Sequence, residues 1–262
     1  MAWQLILKNC QLNKPHRHHY VSPMRKSILA LALLPIFSLM ALGQSALDDL
    51  SLEKKLTLAK AGDEEAQIAL AQAYEQGIGA NLSKVEAAKW YRAAAQQGNA
   101  EGQFRLARLV HEGGEGLKKS PEIAAQLYKS AADQGHAMAQ NWLGYCYQRG
   151  IGIAAKDETA VEWYGKAADQ GLAVAQNNLA LMHLNGKGTP RDFAKAFALF
   201  KLAADQGDGW GLNNLAGMYE MGWGVAQDPK QASALYRKAA EAGNSAAGDN
   251  LKRLTGTVVT PD

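Results

Sequence analysis

Residues 137–171 read AMAQNWLGYCYQRGIGIAAKDETAVEWYGKAADQG. Ala139, Gln140, Leu143, Gly144 and Tyr147 are spaced by threes and fours, which places them on one face of a helix. Ala160, Trp163, Tyr164, Ala167 and Ala168 repeat that spacing in a second helix. Between the two, Gly150 and Gly152 supply backbone conformations that side chains would hinder, and Gln170-Gly171 closes the unit. Small residues on the first helix let a neighbour approach closely. Each aromatic of the second can lie over an alanine pair, a burial worth about 1.5–3 kcal/mol.

Working outward, the same unit recurs on both sides. The turn glycines are Gly77/Gly79, Gly114/Gly116, Gly150/Gly152, Gly186/Gly188 and Gly222/Gly224, and the closing ones are Gly98, Gly135, Gly171, Gly207 and Gly243. Both series step by 37, 36, 36 and 36 residues, with the extra residue expected just before Gly114. The first helices carry Gln67, Gln103, Gln140 and Gln176, with Leu212 in the fifth; Val110 and His183 replace the tyrosine. The second helices carry Tyr91, Tyr128, Tyr164, Phe200 and Tyr236, each followed by an alanine pair. No strand pattern fits between them. One such pair cannot bury its apolar face alone, whereas stacked pairs share a continuous core. The expected fold is therefore all-α, an α/α superhelical solenoid of about five 36-residue helix-turn-helix repeats with terminal half repeats. The expected boundaries are a capping half repeat 47–63, repeats 64–99, 100–136, 137–172, 173–208 and 209–244, a capping helix 245–254 and a flexible tail 255–262.

The 262 residues include 28 Lys and Arg against 25 Asp and Glu, a composition too polar and too ordinary in charge for a disordered tail or a polytopic membrane protein, and the two cysteines exclude a disulfide-dense scaffold. Five of the basic side chains and no acidic one fall in residues 1–43. Met24-Arg25-Lys26-Ser27, then an apolar run from Ile28 to Leu42, reads as a signal peptide over 24–43, with cleavage after Gly43 or near Ala46. Residues 1–23 read as an upstream extension before a start at Met24; alternatively they are a long basic region and the segment stays as an anchor. Membrane contact is expected only through this leader if it is uncleaved, and the destination is periplasmic or secreted. Without the leader 23 basic and 25 acidic residues remain, with no basic stripe, which argues against nucleic acid. Cys10 leaves with the leader, so the exported chain carries Cys146 alone.

The spacing Gln-x-x-Leu-(Ala/Gly)-x-x-Tyr is similar to the tetratricopeptide pattern. The longer unit, the Gly-x-Gly turn and the ending Trp163-Tyr164…Ala167-Ala168…Gln170-Gly171 narrow it: residues 47–254 resemble the Sel-one-like repeat (SLR) family, in its exported bacterial type. The resemblance implies a non-enzymatic protein-interaction scaffold of the envelope or secreted space. It also implies, through secreted relatives, an alternative as a peptidoglycan- or β-lactam-directed hydrolase.

The residues do not favour that chemistry. Ser51-Leu52-Glu53-Lys54 has serine-enzyme spacing, but Lys-Thr-Gly and Ser-Asp-Asn are both absent, and a serine before a helix is an N-cap. His111, His136 and His183 share no metal-ligand spacing. No catalytic, cofactor or metal residue is assigned.

Function then rests on variable positions of the first helices. The residue two before the leucine, expected to face a concave groove, is Ile68, Phe104, Asn141, Asn177 and Asn213. The three asparagines would either pair with an extended peptide or hydrogen-bond between repeats. Arg105, Arg108, Trp142, Tyr145 and Trp210 complete the candidate surface for a protein or peptide partner. Trp142 and Trp210 would alternatively stack on a glycan. Trp223, inside the fifth turn, is expected to be an edge anchor or to pack on the terminal half unit.

Overall fold

The computed structural model describes residues 50–114 and 116–256. The upstream extension, the signal peptide and residues 257–262 of the expected tail lie outside them. The described residues form twelve helices and no strand, grouped in two compact units. The first unit holds α1 (Leu52–Lys60), α2 (Glu64–Gln76), α3 (Lys84–Gln96), α4 (Ala100–Glu112) and α5 (Pro121–Asp133). The second holds α6 (Ala137–Arg149), α7 (Asp157–Asp169), α8 (Ala173–Asn185), α9 (Phe193–Asp205), α10 (Gly209–Met221), α11 (Pro229–Glu241) and α12 (Ser245–Thr255). Within each unit every helix packs on the next in sequence, the layout of an α/α solenoid.

Sequence explains the helix ends. Asp63, Ser83, Asn99, Ser120, Asp192, Asp208, Asp228 and Asn244 each accept a backbone N–H at an N-terminus. Ser51 does the same for α1, accepting from the Lys54 N–H at 3.4 Å. The helices α2, α6, α8 and α10 end on Gly77, Gly150, Gly186 and Gly222 in the left-handed conformation. The helix α4 is different. It ends on Gly113, one residue earlier than the glycine spacing implied, so the added residue lies after the cap, in the loop where Gly114 and Leu117 form an isolated bridge. At the other end α12 runs through Thr255 and is capped by Gly256, one residue beyond the expected capping helix.

The interior is made as the repeat implies. Tyr91, Tyr128, Tyr164, Phe200 and Tyr236 are the largest fully buried side chains, each beside buried alanines of its own helix. The Tyr164 ring lies so close to α6 that a Cβ on Gly144 would meet its Cδ1 at 2.8 Å, which is why this repeat has glycine where its neighbours have alanine. The second turn glycine is a contact position too. A Cβ on Gly188 would fall 2.3 Å from the Asp157 carbonyl carbon at the start of α7.

Two sets of polar bonds tie the helices, and neither is predicted by burial alone. The closing glutamine of a repeat donates to the leading glutamine of the same repeat: Gln97 to Gln67, Gln134 to Gln103, Gln170 to Gln140 and Gln206 to Gln176, at 2.7–2.9 Å. In the fifth repeat both partners are gone together, as Leu212 and Ala242. The inward tyrosine hydroxyl donates to a residue near the end of its own first helix: Tyr91 to Glu75, Tyr164 to Gln148 and Tyr236 to Glu220, at 2.7–2.9 Å. Where the aromatic is Phe200, without a hydroxyl, the facing position is Leu184.

Candidate functional site

The residues assigned to a groove divide between the two units. In the first, Arg105 and Arg108 lie on α4 and are half-buried. The Arg105 Nε donates to Glu101 at 2.5 Å and its Nη1 stands 4.0 Å from Glu75. Burial works against the charge, yet Glu101, Tyr91 and Glu75 hold the guanidinium above its usual value. Arg108 stands 3.9 Å from Glu112. Both cations therefore already face carboxylates of their own unit.

In the second unit the asparagine position is corrected in its orientation. Asn141 and Asn177 are completely buried and Asn213 is 3% exposed, as the equivalent Ile68 and Phe104 are buried in the first unit. The residue two before the leucine points at the next first helix, where the following residue of that helix covers it. Asn178 donates to Asn141 at 3.0 Å, Asn214 to Asn177 at 2.8 Å and Asn250 to Asn213 at 2.9 Å. Asn213 in turn donates to Asn214 at 3.4 Å, so one amide chain links α8, α10 and α12. Of the two expected roles, inter-repeat hydrogen bonding is the one these side chains occupy; contact with a peptide requires them to leave it. The Nδ2 groups of Asn141 and Asn177 find no acceptor among the described residues.

Trp142 and Trp210 remain half-buried, with indole surface still accessible. Trp142 meets Tyr145 edge to face at 5.9 Å between ring centres, and the Arg149 guanidinium lies 5.9 Å over the Tyr145 ring. The three form one aromatic–cation cluster on α6, underlain by Met182 and Tyr164. Tyr145 itself is buried, so it supports Trp142 rather than presenting a face of its own.

Other chemistry-bearing groups are occupied structurally. His136 caps α6, its Nδ1 accepting from the Ala139 N–H at 3.1 Å. His111 and His183 are lowered from the ordinary histidine value, first by burial and then by Lys119 and Lys195 respectively. The Cys146 thiol is fully buried and pushed up to about 12 by that burial, so it is a poor nucleophile. Among the described residues no group of three or more His, Cys, Asp or Glu is placed to hold a metal ion. Trp223 is half-buried and stacks on Phe193, at the start of α9 in the preceding repeat, at 5.5 Å and 12°.

The tyrosine-hydroxyl and glutamine–glutamine pairs went unread in the sequence. Their signal was present as joint departures, Leu184 with Phe200 and Leu212 with Ala242.

The Sel1 repeat model matches residues 64–99, 100–136, 137–172, 173–208 and 211–244. The structure resembles that of a protective antigen present in uropathogenic Escherichia coli strains, described as displaying an SLR fold. The two are 34% identical with a TM-score of 0.75, over 80% of this chain and 45% of that one. This chain thus spans less than half the length of that protein. A Sel1 repeat protein from Oxalobacter formigenes is 28% identical with a TM-score of 0.72, over 80% of this chain and 91% of that one. No curated protein matches the chain significantly.

Proposed function

As the chain belongs to the Sel1 repeat family, we propose that it is an exported, non-enzymatic adaptor that holds a peptide or protein partner against the first helices of its repeats. Sel1 repeat proteins are generally protein-interaction scaffolds, and the reading for this chain builds on that. The observation that carries it is the half-buried Trp142 in the middle of α6, braced by Tyr145, over whose ring Arg149 lies. A rigid, partly exposed indole on a supported helix is the kind of anchor that dominates binding energy at interfaces. Trp210, half-buried near the start of α10, is the second such group.

The test is crosslinking and mass spectrometry of the tagged chain in its native envelope, repeated with Trp142→Ala and Trp210→Ala. The expected result is a specific crosslinked partner whose capture falls at least tenfold in the variants while the helical circular-dichroism signal is retained. Unchanged capture in both variants would remove the anchors from the reading. Intact mass of the same material tests export, with cleavage expected after Gly43 or near Ala46. Nitrocefin turnover by the purified chain would overturn the non-enzymatic assignment.

A further inference from the structure

A second surface lies on the first unit. Ala88, Arg92, Ala95 and Gln96 of α3 form one wall, Ile123 and Leu127 of α5 the other, and Leu106 and Val110 of α4 the floor, around a groove of about 420 Å³. Leu117, Lys118 and Ser120 from the lengthened loop close one end.

Two departures from the repeat coincide there: Val110 replaces the tyrosine carried as Tyr74, Tyr147 and Tyr219, and the loop is one residue longer. In register, Ala88 is the counterpart of Phe197 and Val110 the counterpart of Tyr219. In the second unit those two aromatics meet edge to face at 5.5 Å and fill the equivalent place between successive repeats. In the first unit both are small, and the added loop residue brings Leu117 and Lys118 to the opening. The molecule therefore shows what the groove lacks: an aromatic ring. Its charge is one-sided as well. Among the described residues the lining carries Arg92 and Lys118, both exposed, and no acidic side chain. Glu122, next to Ile123, is engaged by the Ser120 hydroxyl at 3.2 Å. Ile123 stands 51% exposed at the wall.

We propose that this groove seats an aromatic side chain carried on an acidic segment of a partner protein, the ring entering where Phe197 and Tyr219 sit in the later repeats and the acids meeting Arg92 and Lys118. This goes beyond the adaptor reading, because none of its residues belongs to the Trp142 and Trp210 surface.

The test uses fluorescein-labelled synthetic peptides and the exported chain. One peptide has a central Phe flanked by Asp and Glu, a second replaces the Phe by Ala, and a third replaces the acids by Lys. Fluorescence polarisation is expected to show the first binding at least tenfold tighter than either control, with methyl NMR shifts at Val110, Leu117, Ile123 and Leu127. Ala88→Phe with Val110→Tyr, which rebuilds the aromatic pair of the later repeats, is expected to reduce binding at least tenfold without lowering Tm. If that variant melts early, Arg92→Glu with Lys118→Glu decides, since both side chains are exposed; it is expected to reverse the preference towards the Lys peptide. Equal binding of all three peptides, no binding of any, or shifts confined to other residues would overturn the proposal. Loss of Trp142-dependent capture leaves these outcomes untouched, so the two readings fail separately.

Discussion

A single buried hydroxyl separates two versions of the repeat. Tyr164 donates to Gln148 at 2.9 Å, whereas Phe200 faces Leu184 and needs no acceptor. Gln148→Leu alone leaves the Tyr164 hydroxyl buried without its acceptor and is expected to cost about 1–3 kcal/mol in urea denaturation. Adding Tyr164→Phe copies the fourth repeat and is expected to recover most of the loss, giving a clear coupling energy in the double-mutant cycle. Glu220 is the charged counterpart. Burial alone would raise its carboxyl, but hydrogen bonds from Arg253 and Tyr236 outweigh it and hold the acid below its ordinary 4.5. A carboxylate depressed by folding contributes fully above its unfolded pKa and loses that contribution as pH falls through the folded value. Thermal melts are therefore expected to show Glu220 stabilising the chain at neutral pH and progressively less below about pH 4.5, with Glu220→Gln flattening that acid limb. Neither pair was read from composition or spacing, because both are matches between positions sixteen residues apart on different helices. A search for apolar stripes passes over such matches.

Helices and turns were the most legible level. Apolar spacing fixes each helix, and the glycines mark where each ends, since the left-handed conformation is costly for other residues. The exception is the loop after α4, where counting glycines misplaced the extra residue because Gly113 and Gly114 are adjacent and only the cap distinguishes them. The groove-facing assignment failed for a related reason. Helical phase predicts which residues share a face, but which neighbour covers that face depends on how successive first helices are offset. The asparagines at 141, 177 and 213 therefore point inward, while Trp142 and Trp210 keep surface. Turn glycines also differ in why they are needed. Gly79 has open space where a Cβ would go, and Gly188 would place one 2.3 Å from the Asp157 backbone; both have positive φ. Gly79→Ala is expected to cost about 1–2 kcal/mol from conformation alone. Gly188→Ala is expected to add about 1–3 kcal/mol of overpacking. Denaturation midpoints of the two variants check the difference.

At the scale of the whole chain, stability in stacked repeats is close to a sum of nearest-neighbour terms. The last of these is made by α12, which supplies Arg253 to Glu220 and Asn250 to Asn213. Ending the chain at residue 244 would leave Glu220 buried without its cation and Asn213 without that donor. Hydrogen exchange is expected to quicken by at least tenfold in α10 and α11, with protection in residues 50–134 retained; uniform loss would contradict the nearest-neighbour picture. The polar bonds themselves divide into two kinds. The glutamine pairs and the tyrosine pairs close within one repeat, whereas the asparagine bonds reach from one repeat to the next. A gene segment encoding one unit can therefore be duplicated or deleted with its internal bonds intact, but a junction beside Asn141, Asn177 or Asn213 must bring compatible amides face to face, whereas one beside Ile68 or Phe104 must bring apolar surfaces together. Copy number in such a chain is free to drift only among units that share that junction chemistry, so the order of the repeats carries inheritance of its own.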